Sequence, residues 1–281
     1  MLLLPLADGS MWLFSNPQSD AQQTLDLLAS ALNLRCIEDH VGLEMMAADE
    51  DAPLFMMKIR CSREPAHAIQ LPAMRERTIL WRIGSSRHPR LPFVTASRIA
   101  QFVGINAEQR GGILLHGALL EKRGKGVILA GPSGAGKTTA GRRLPSPWRA
   151  LSDDMVLVVK KNSGEYQAHP WPTWSRVERK DPTGNVDATR AVPLQGLFFI
   201  QQSPEDSSSP LAKKNAIGML LGCAEIATGS LVRLEKRKEA VSIMKRRFHN
   251  LFDLASSVPQ HELLMSMTGR YWKEIERILA I

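Results

Sequence analysis

The stretch Gly126-Val127-Ile128-Leu129-Ala130-Gly131-Pro132-Ser133-Gly134-Ala135-Gly136-Lys137-Thr138-Thr139 constrains this chain more than any other. Val127 to Ala130 read as an apolar strand, Gly131 to Gly136 as a glycine-rich loop, and Thr138 to Leu144 as the start of a helix. The pattern G-x-x-x-x-G-K-[ST] runs from Gly131 to Thr138. Such a loop wraps backbone N–H groups around the phosphates of a nucleotide, where the dipole of the following helix adds favourable potential. Gly134 and Gly136 allow backbone angles and a closeness of approach that a side chain forbids. Lys137 is placed to reach the terminal phosphates and the Thr138 hydroxyl to ligate Mg²⁺. The expected nucleotide-binding residues are therefore Gly131, Pro132, Ser133, Gly134, Ala135, Gly136, Lys137, Thr138 and Thr139, with a nucleotide and Mg²⁺ as the bound groups.

A phosphate loop needs a second acidic element at the end of a nearby strand to complete the Mg²⁺ shell. Ser152-Asp153-Asp154 supplies one, immediately before the apolar run Met155 to Val159. Neighbours on an extended strand point to opposite sides. The two carboxylates are thus expected to divide the work, one near the metal and one facing an acceptor hydroxyl. Upstream, Ile113-Leu114-Leu115-His116-Gly117-Ala118-Leu119-Leu120 is an apolar strand interrupted by one histidine. A lone histidine in such a strand is ordinarily a hydrogen-bonded structural residue. Its place beside the strand that delivers the loop also makes it a candidate for the site.

His116-Gly117, the loop from Gly131 to Thr138 and Ser152-Asp153-Asp154 resemble, in order and spacing, HPr kinase/phosphorylase. The likeness is greater to the smaller HPr-kinase-like serine kinases that accompany bacterial peptide-modifying gene cassettes. It covers roughly residues 110 to 270 and is sharp only across 113 to 158. The resemblance implies a core shared with ATP-dependent phosphoenolpyruvate carboxykinase. It also implies that Lys137 and Thr138 hold ATP and Mg²⁺, that Asp153 is the base toward an acceptor serine, that His116 supports that aspartate, and that Asp154 sits near the metal. The two aspartates can exchange these roles. Two features depart from the family. The glycine-rich signature linked with the reverse, phosphorolytic reaction has as its counterpart Val192 to Ile200, an apolar strand with the single glycine Gly196. The N-terminal region does not look like the family's, so HPr is not the expected acceptor.

Elsewhere the chain offers less chemistry. Residues 1–95 read as a small α+β unit: strands at Met11–Phe14, Leu54–Cys61 and Thr78–Ile83, and a helix capped by Ser19 or Asp20 with Leu25, Leu27, Leu28, Leu32 and Leu34 on one face. His67 and His88 read as surface residues, and Met45, Met46, Met56 and Met57 as core filler. Pro89 to Pro92 reads as a linker, Ala96–Gln109 as a helix, and Lys122 to Lys125 as a turn between two strands. In Ala168 to Glu178, Trp171 and Trp174 form either a ledge or a wall against the sheet; Arg176 is suited to a phosphate, and Glu178 to a metal or a backbone amide. Lys180 to Arg190 reads as a mobile cover, Gln201 to Pro210 as a disordered loop, and Lys213–Thr228 and Lys236–Ser256 as helices. A strand at Glu262–Met267 and a helix at Arg270–Ile281 close the chain. Arg233, Lys236, Arg237, Lys238, Lys245, Arg246 and Arg247 form a basic run, read first as a solvated helix face.

The fold expected is α/β: a P-loop nucleotide-binding domain with a central mixed sheet over residues 96–281, preceded by the N-terminal unit 1–95. The expected activity is transfer of the ATP γ-phosphoryl group to a serine of a peptide or protein, possibly one encoded nearby. The alternative is a nucleotide-gated binding module, and plain ATP hydrolysis ranks behind both. The net charge of +8 suits acidic partners, but no aromatic-interleaved or helix-turn-helix pattern points to nucleic acid. Three scattered cysteines and the lack of a membrane-length apolar run point to a cytoplasmic protein. The oligomeric state is left open, a homo-oligomer included.

Overall fold

The computed structural model describes residues 1–17, 21–37, 53–61, 77–83, 89–233 and 235–280. Ser19, Asp20, Met45, Met46, His67 and His88 lie outside the described residues. Two mixed sheets build an α/β protein. The first has the order β3-β1-β2-β4-β5, with β1 (Leu2–Pro5), β2 (Met11–Ser15), β3 (Arg35–Cys36), β4 (Leu54–Cys61) and β5 (Thr78–Ile83). β2, β4 and β5 run parallel, and β1 pairs antiparallel with β2 and β3. Helix α1 (Gln22–Leu32) buries Leu25, Leu28 and Leu32, and Asn33 ends it in the left-handed region at φ 53°. Such a residue at a helix C-terminus breaks the helical path, and asparagine tolerates the angle.

Helix α2 (Leu91–Ala107) begins inside the expected linker, because Pro92 in its first turn has no N–H to leave unpaired. The helix spans the expected boundary at residue 95. Its Phe102 meets Trp12 and Trp81 edge-on. Gly104, two residues on and so on the opposite side of the helix, lets it lie against the second sheet: a Cβ there would stand 2.8 Å from Leu114 Cβ. One apolar core consequently contains Trp12, Phe14, Met57 and Trp81 together with Leu114, Leu157 and Trp171. Polar ties reinforce it. Arg110 Nε donates to Asp8 Oδ2 at 2.8 Å, and Ala7 N–H to His169 Nε2 at 3.0 Å. Since that nitrogen accepts, the proton sits on Nδ1, 2.7 Å from the Ala188 carbonyl. Burial pushes the His169 pKa down, so the ring is neutral.

The second sheet follows the order β10-β9-β6-β7-β11-β13-β12, with β8 also on β6. Its strands are β6 (Ile113–Lys122), β7 (Lys125–Ala130), β8 (Trp148–Ser152), β9 (Met155–Lys160), β10 (Tyr166–Trp171), β11 (Val192–Gln202), β12 (Ser207–Pro210) and β13 (Gln260–Met265). β7, β11 and β13 are parallel. Both faces are covered, which is why the central strands are apolar throughout. Ile128, Ala130, Leu197 and Phe199 face helix α5 (Lys213–Val232) and helix α6 (Arg237–Ser257). Val127, Leu129, Phe198 and Ile200 face the short helix α3 (Lys137–Arg142) and helix α7 (Trp272–Leu279). Between β10 and β11 lies helix α4 (Trp174–Glu178). By length and composition α5 can cross a membrane, yet 56% of its most apolar window is buried inside the protein.

The structure departs from the sequence reading in several places. Gln201 to Pro210 is not disordered: β12 pairs antiparallel with β13, and Asp206 accepts from Ser266 N–H. A polar composition suits an edge strand whose partner supplies the backbone bonds. Residues 180–190 are pinned rather than a mobile cover, since Val186 and Ala188 donate to the carbonyls of Ala31 and Leu32 at 3.0 and 3.2 Å. Arg247, in the basic run, is fully buried; its guanidinium donates to Glu108 Oε1 and to Thr228 Oγ1. Burial pushes the Glu108 carboxyl up to about 7 against the pull of that arginine.

Two outcomes follow for stability. Arg247→Met strands Glu108 without its partner and should cost roughly 3–5 kcal/mol in urea unfolding, most of it recovered in the double variant Arg247→Met/Glu108→Leu. Burial alone would raise the Glu276 pKa, but hydrogen bonds from Trp148, Lys122 and Lys273 prevail and hold it at about 2. Its folded value lies below its unfolded value, so its contribution is full above the unfolded pKa and is lost as pH falls through about 2. Glu276→Gln should lower stability by about 2 kcal/mol at neutral pH, and the gap to wild type should close in melts between about pH 5 and pH 2.

Candidate functional site

The site is assembled on the two edges of β6. On one edge Gly117 pairs with Ala130, the last residue of β7 before the loop. On the other edge β8 and β9 follow one another, both antiparallel to β6. Asp153 and Asp154 are the two-residue interruption between them, and Gly117 N–H donates to the Asp154 carbonyl at 2.9 Å. The chain bends at both residues while the pairing keeps its register across them, from Leu119 with Ser152 to His116 with Met155. The bulge lies a step earlier, at Leu151, between Ala150 paired with Leu120 and Ser152 paired with Leu119. Gly117 lets the strands close at this point, since a Cβ would stand 3.1 Å from Leu129 O and Ile128 Cγ2. Both residues are bends between β8 and β9, not strand, so the alternation expected to send the carboxylates to opposite sides does not govern them. Both line one cavity.

That cavity holds about 230 Å³ and is lined by His116, Ser133, Gly134, Gly136, Lys137, Thr138, Thr139, Asp153 and Asp154. Gly134 and Gly136 have φ of 81° and 105°, angles that a side chain would strain, and α3 starts directly after them. Gly131, Pro132 and Ala135 complete the loop without lining the cavity; the Gly131 and Pro132 carbonyls accept from Lys137 Nζ at 2.7 and 2.9 Å. Burial lowers the Lys137 pKa, while Cys223 and the two aspartates pull it back up. Gln202 Nε2 reaches the Gly134 carbonyl at 3.1 Å from the end of β11.

The two aspartates have distinct neighbours. Thr138 Oγ1 donates to Asp153 Oδ2 at 3.0 Å, and Thr173 Oγ1 to Asp153 Oδ1 at 2.7 Å. Arg176 forms an ion pair with Asp153 Oδ2 at 2.5 Å. His116 Nδ1 lies 3.2 Å from Asp154 Oδ1. The ring is buried, and neither nitrogen is aligned for a hydrogen bond. Of the two assignments that the resemblance leaves open, the geometry agrees with the exchanged one: His116 stands beside Asp154, and Thr138 bonds to Asp153.

Thr173 and Gln202 are residues that the sequence reading missed, and no local pattern marks either one. Glu178 faces away from the cavity and pairs with Arg90. Trp171 is a buried wall, and Trp174 meets Phe93 edge-on. Among the described residues no three His, Cys, Asp or Glu side chains cluster as metal ligands. Thr138 and Asp153 fit a cation that brings most of its shell with it, as Mg²⁺ does when it binds through one or two protein groups and phosphate.

By its fold this is a mixed α/β protein with a glycine-rich loop at the end of a central strand and an aspartate pair beside it. The family model described as SynChlorMet cassette protein ScmC matches residues 82–280, and the chain belongs to that family. The match takes in the whole site and begins inside β5, so most of the first sheet precedes it. No curated protein matches the chain.

Gly184 sets the position of Arg176. A Cβ there would stand 2.7 Å from Arg176 Cβ and from Val177 N. Gly184→Ala must push α4 aside and should lower stability by about 1–3 kcal/mol in thermal melts. Changes confined to the surface would leave the melt unmoved.

Proposed function

We propose that the protein is an ATP-dependent kinase that transfers the γ-phosphoryl group to a serine hydroxyl of a peptide or protein. The observation that carries this reading is the single cavity shared by the glycine-rich loop, Lys137, Thr138 and two carboxylates with different neighbours. A hydrolase needs a water-positioning group, whereas a transferase needs an acceptor-side base, and Asp154 with His116 behind it suits the second role. Family membership agrees with a substrate encoded in the same cassette. The resemblance to HPr-kinase-like serine kinases supports the reaction type.

In this mechanism the loop backbone and Lys137 hold the phosphates, and the Lys137 ammonium exchanges its two carbonyl partners for phosphate oxygens. Thr138 and Asp153 would hold Mg²⁺, whose charge offsets that of the phosphates. Asp154 accepts the serine proton as the serine oxygen bonds to phosphorus and the bond from phosphorus to the ADP oxygen breaks. His116 packs behind Asp154 from its buried position, its Nδ1 3.2 Å from Oδ1. Positioning and charge stabilisation provide most of the rate, since the transition state is loose.

The test uses γ-labelled ATP, Mg²⁺ and serine-containing peptides encoded beside the gene. Label should enter a peptide with wild type. Asp154→Asn should retain ATP binding and lose about 10²–10⁴-fold in transfer. Lys137→Ala should lose both ATP binding and transfer. ATP bound through Lys137 with no label in any peptide of a broad set would sink the kinase reading in favour of a nucleotide-gated binding module.

A further inference from the structure

Asp153 Oδ2 has two partners at once, the Thr138 hydroxyl and the Arg176 guanidinium. Its other oxygen is taken by Thr173. The carboxylate that stands beside the candidate metal-binding hydroxyl is thus fully engaged by the protein. The arginine is held in place: its side chain is 16% exposed, and NH1 donates to Thr183 Oγ1 at 3.1 Å. Its carbonyl accepts from Asp181 N–H at 3.0 Å, and Gly184 packs against its Cβ. The 173–184 segment is a bracket that aims one guanidinium at one carboxylate.

We propose that Arg176 is a nucleotide-released guard of Asp153, so that a divalent cation enters this site only together with nucleotide. The inference rests on the reading of the loop as a nucleotide site. A guanidinium and a dication compete for the same carboxylate oxygen, and in a half-buried site their mutual repulsion is poorly screened. With the loop free, the guanidinium holds that oxygen and keeps the cation out. A triphosphate is a multiply charged partner, and the planar guanidinium binds two of its oxygens through two parallel hydrogen bonds. Arg176 then leaves Asp153, and the vacated oxygen joins Thr138 in holding the cation. Lys137 is parked in the same way, on the Gly131 and Pro132 carbonyls. Both cations of the site rest on protein acceptors that phosphate outbids. Arg176 is a positioning residue in this scheme: it acts through Asp153 and controls the order of binding.

The experiment follows Mn²⁺ binding by the electron paramagnetic resonance signal of the free aqua ion. It uses the full chain, with and without a non-hydrolysable ATP analogue. Wild type should bind Mn²⁺ at least about tenfold more weakly alone than with the analogue, and Arg176→Gln should tighten binding of Mn²⁺ alone by about tenfold, the scale of one charge-assisted contact. Arg176→Lys, which keeps the charge and the stem, should fall between them and decides the matter should Arg176→Gln fail to fold. Unchanged affinity for Mn²⁺ alone in Arg176→Gln, with the analogue still bound, would overturn the guard while leaving the nucleotide site intact. Wild type that binds no analogue, even with Mn²⁺, would overturn the nucleotide reading and the guard with it.

Discussion

The structure depends above all on the backbone pairing of β6 along both of its edges. Strands in a sheet lie roughly 5 Å apart, so anything hung at one level on the two neighbours of a strand must meet across it. β7 hangs the glycine-rich loop on one edge at Gly117, and the β8–β9 strand hangs Asp153 and Asp154 on the other. No side chain has to draw these groups together. The hydrogen-bond register does it, and the burial of β6 on both faces makes a shift of register costly.

Around that strand the rest of the molecule acts as support. The first sheet contributes no residue to the cavity, yet it shares a core with β6 and β9 through α2. Its polar ties, Asp8 with Arg110 and Ala7 with His169, join segments far apart in sequence. Below the second sheet, Glu108, Arg247, Thr228 and Asn250 form a buried network in which Asn250 also donates to the Glu108 and Gly112 carbonyls. Such networks add little net stability but are costly to break. They favour one packing of α5 and α6 against the strand that carries His116.

The cavity combines an excess of donors on the loop side with two acceptor carboxylates on the other. Its cations are already paired with protein groups, Lys137 with carbonyls and Arg176 with Asp153. A ligand that enters must offer more negative charge than these partners do, which favours a polyphosphate over a monoanion. His116 stands apart from these pairs, a buried ring with no aligned hydrogen bond, set against the carboxylate that Arg176 does not touch. The two aspartates, adjacent in sequence, therefore sit in different electrostatic surroundings. That difference allows one to serve the phosphate side and the other an acceptor.

By itself the sequence determined the elements whose signal is local. The loop and its flanking strand and helix were legible from glycines and a lysine at fixed spacing, β6 from the apolar run on either side of His116, and β5 from its alternation. The candidate residues were legible for the same reason: Lys137 and Thr138 belong to the loop motif, and His116, Asp153 and Asp154 lie in or beside apolar strand-like runs. Only the tertiary structure decided how they pair. The bend that turns Asp153 toward Thr138 and Asp154 toward His116 is placed by the pairing of β8 and β9 with one strand, β6. Thr173 and Arg176, at the start of α4 and within it, and Gln202, at the end of β11, come from elsewhere in the chain, and no local pattern shows which groups they meet. The same holds for β12, a serine-rich stretch whose order is supplied by the free edge of β13, and for Arg247, whose basic neighbours in sequence conceal its burial against Glu108. Local patterns specify which groups exist and on what element. Long-range backbone pairing specifies which of them meet.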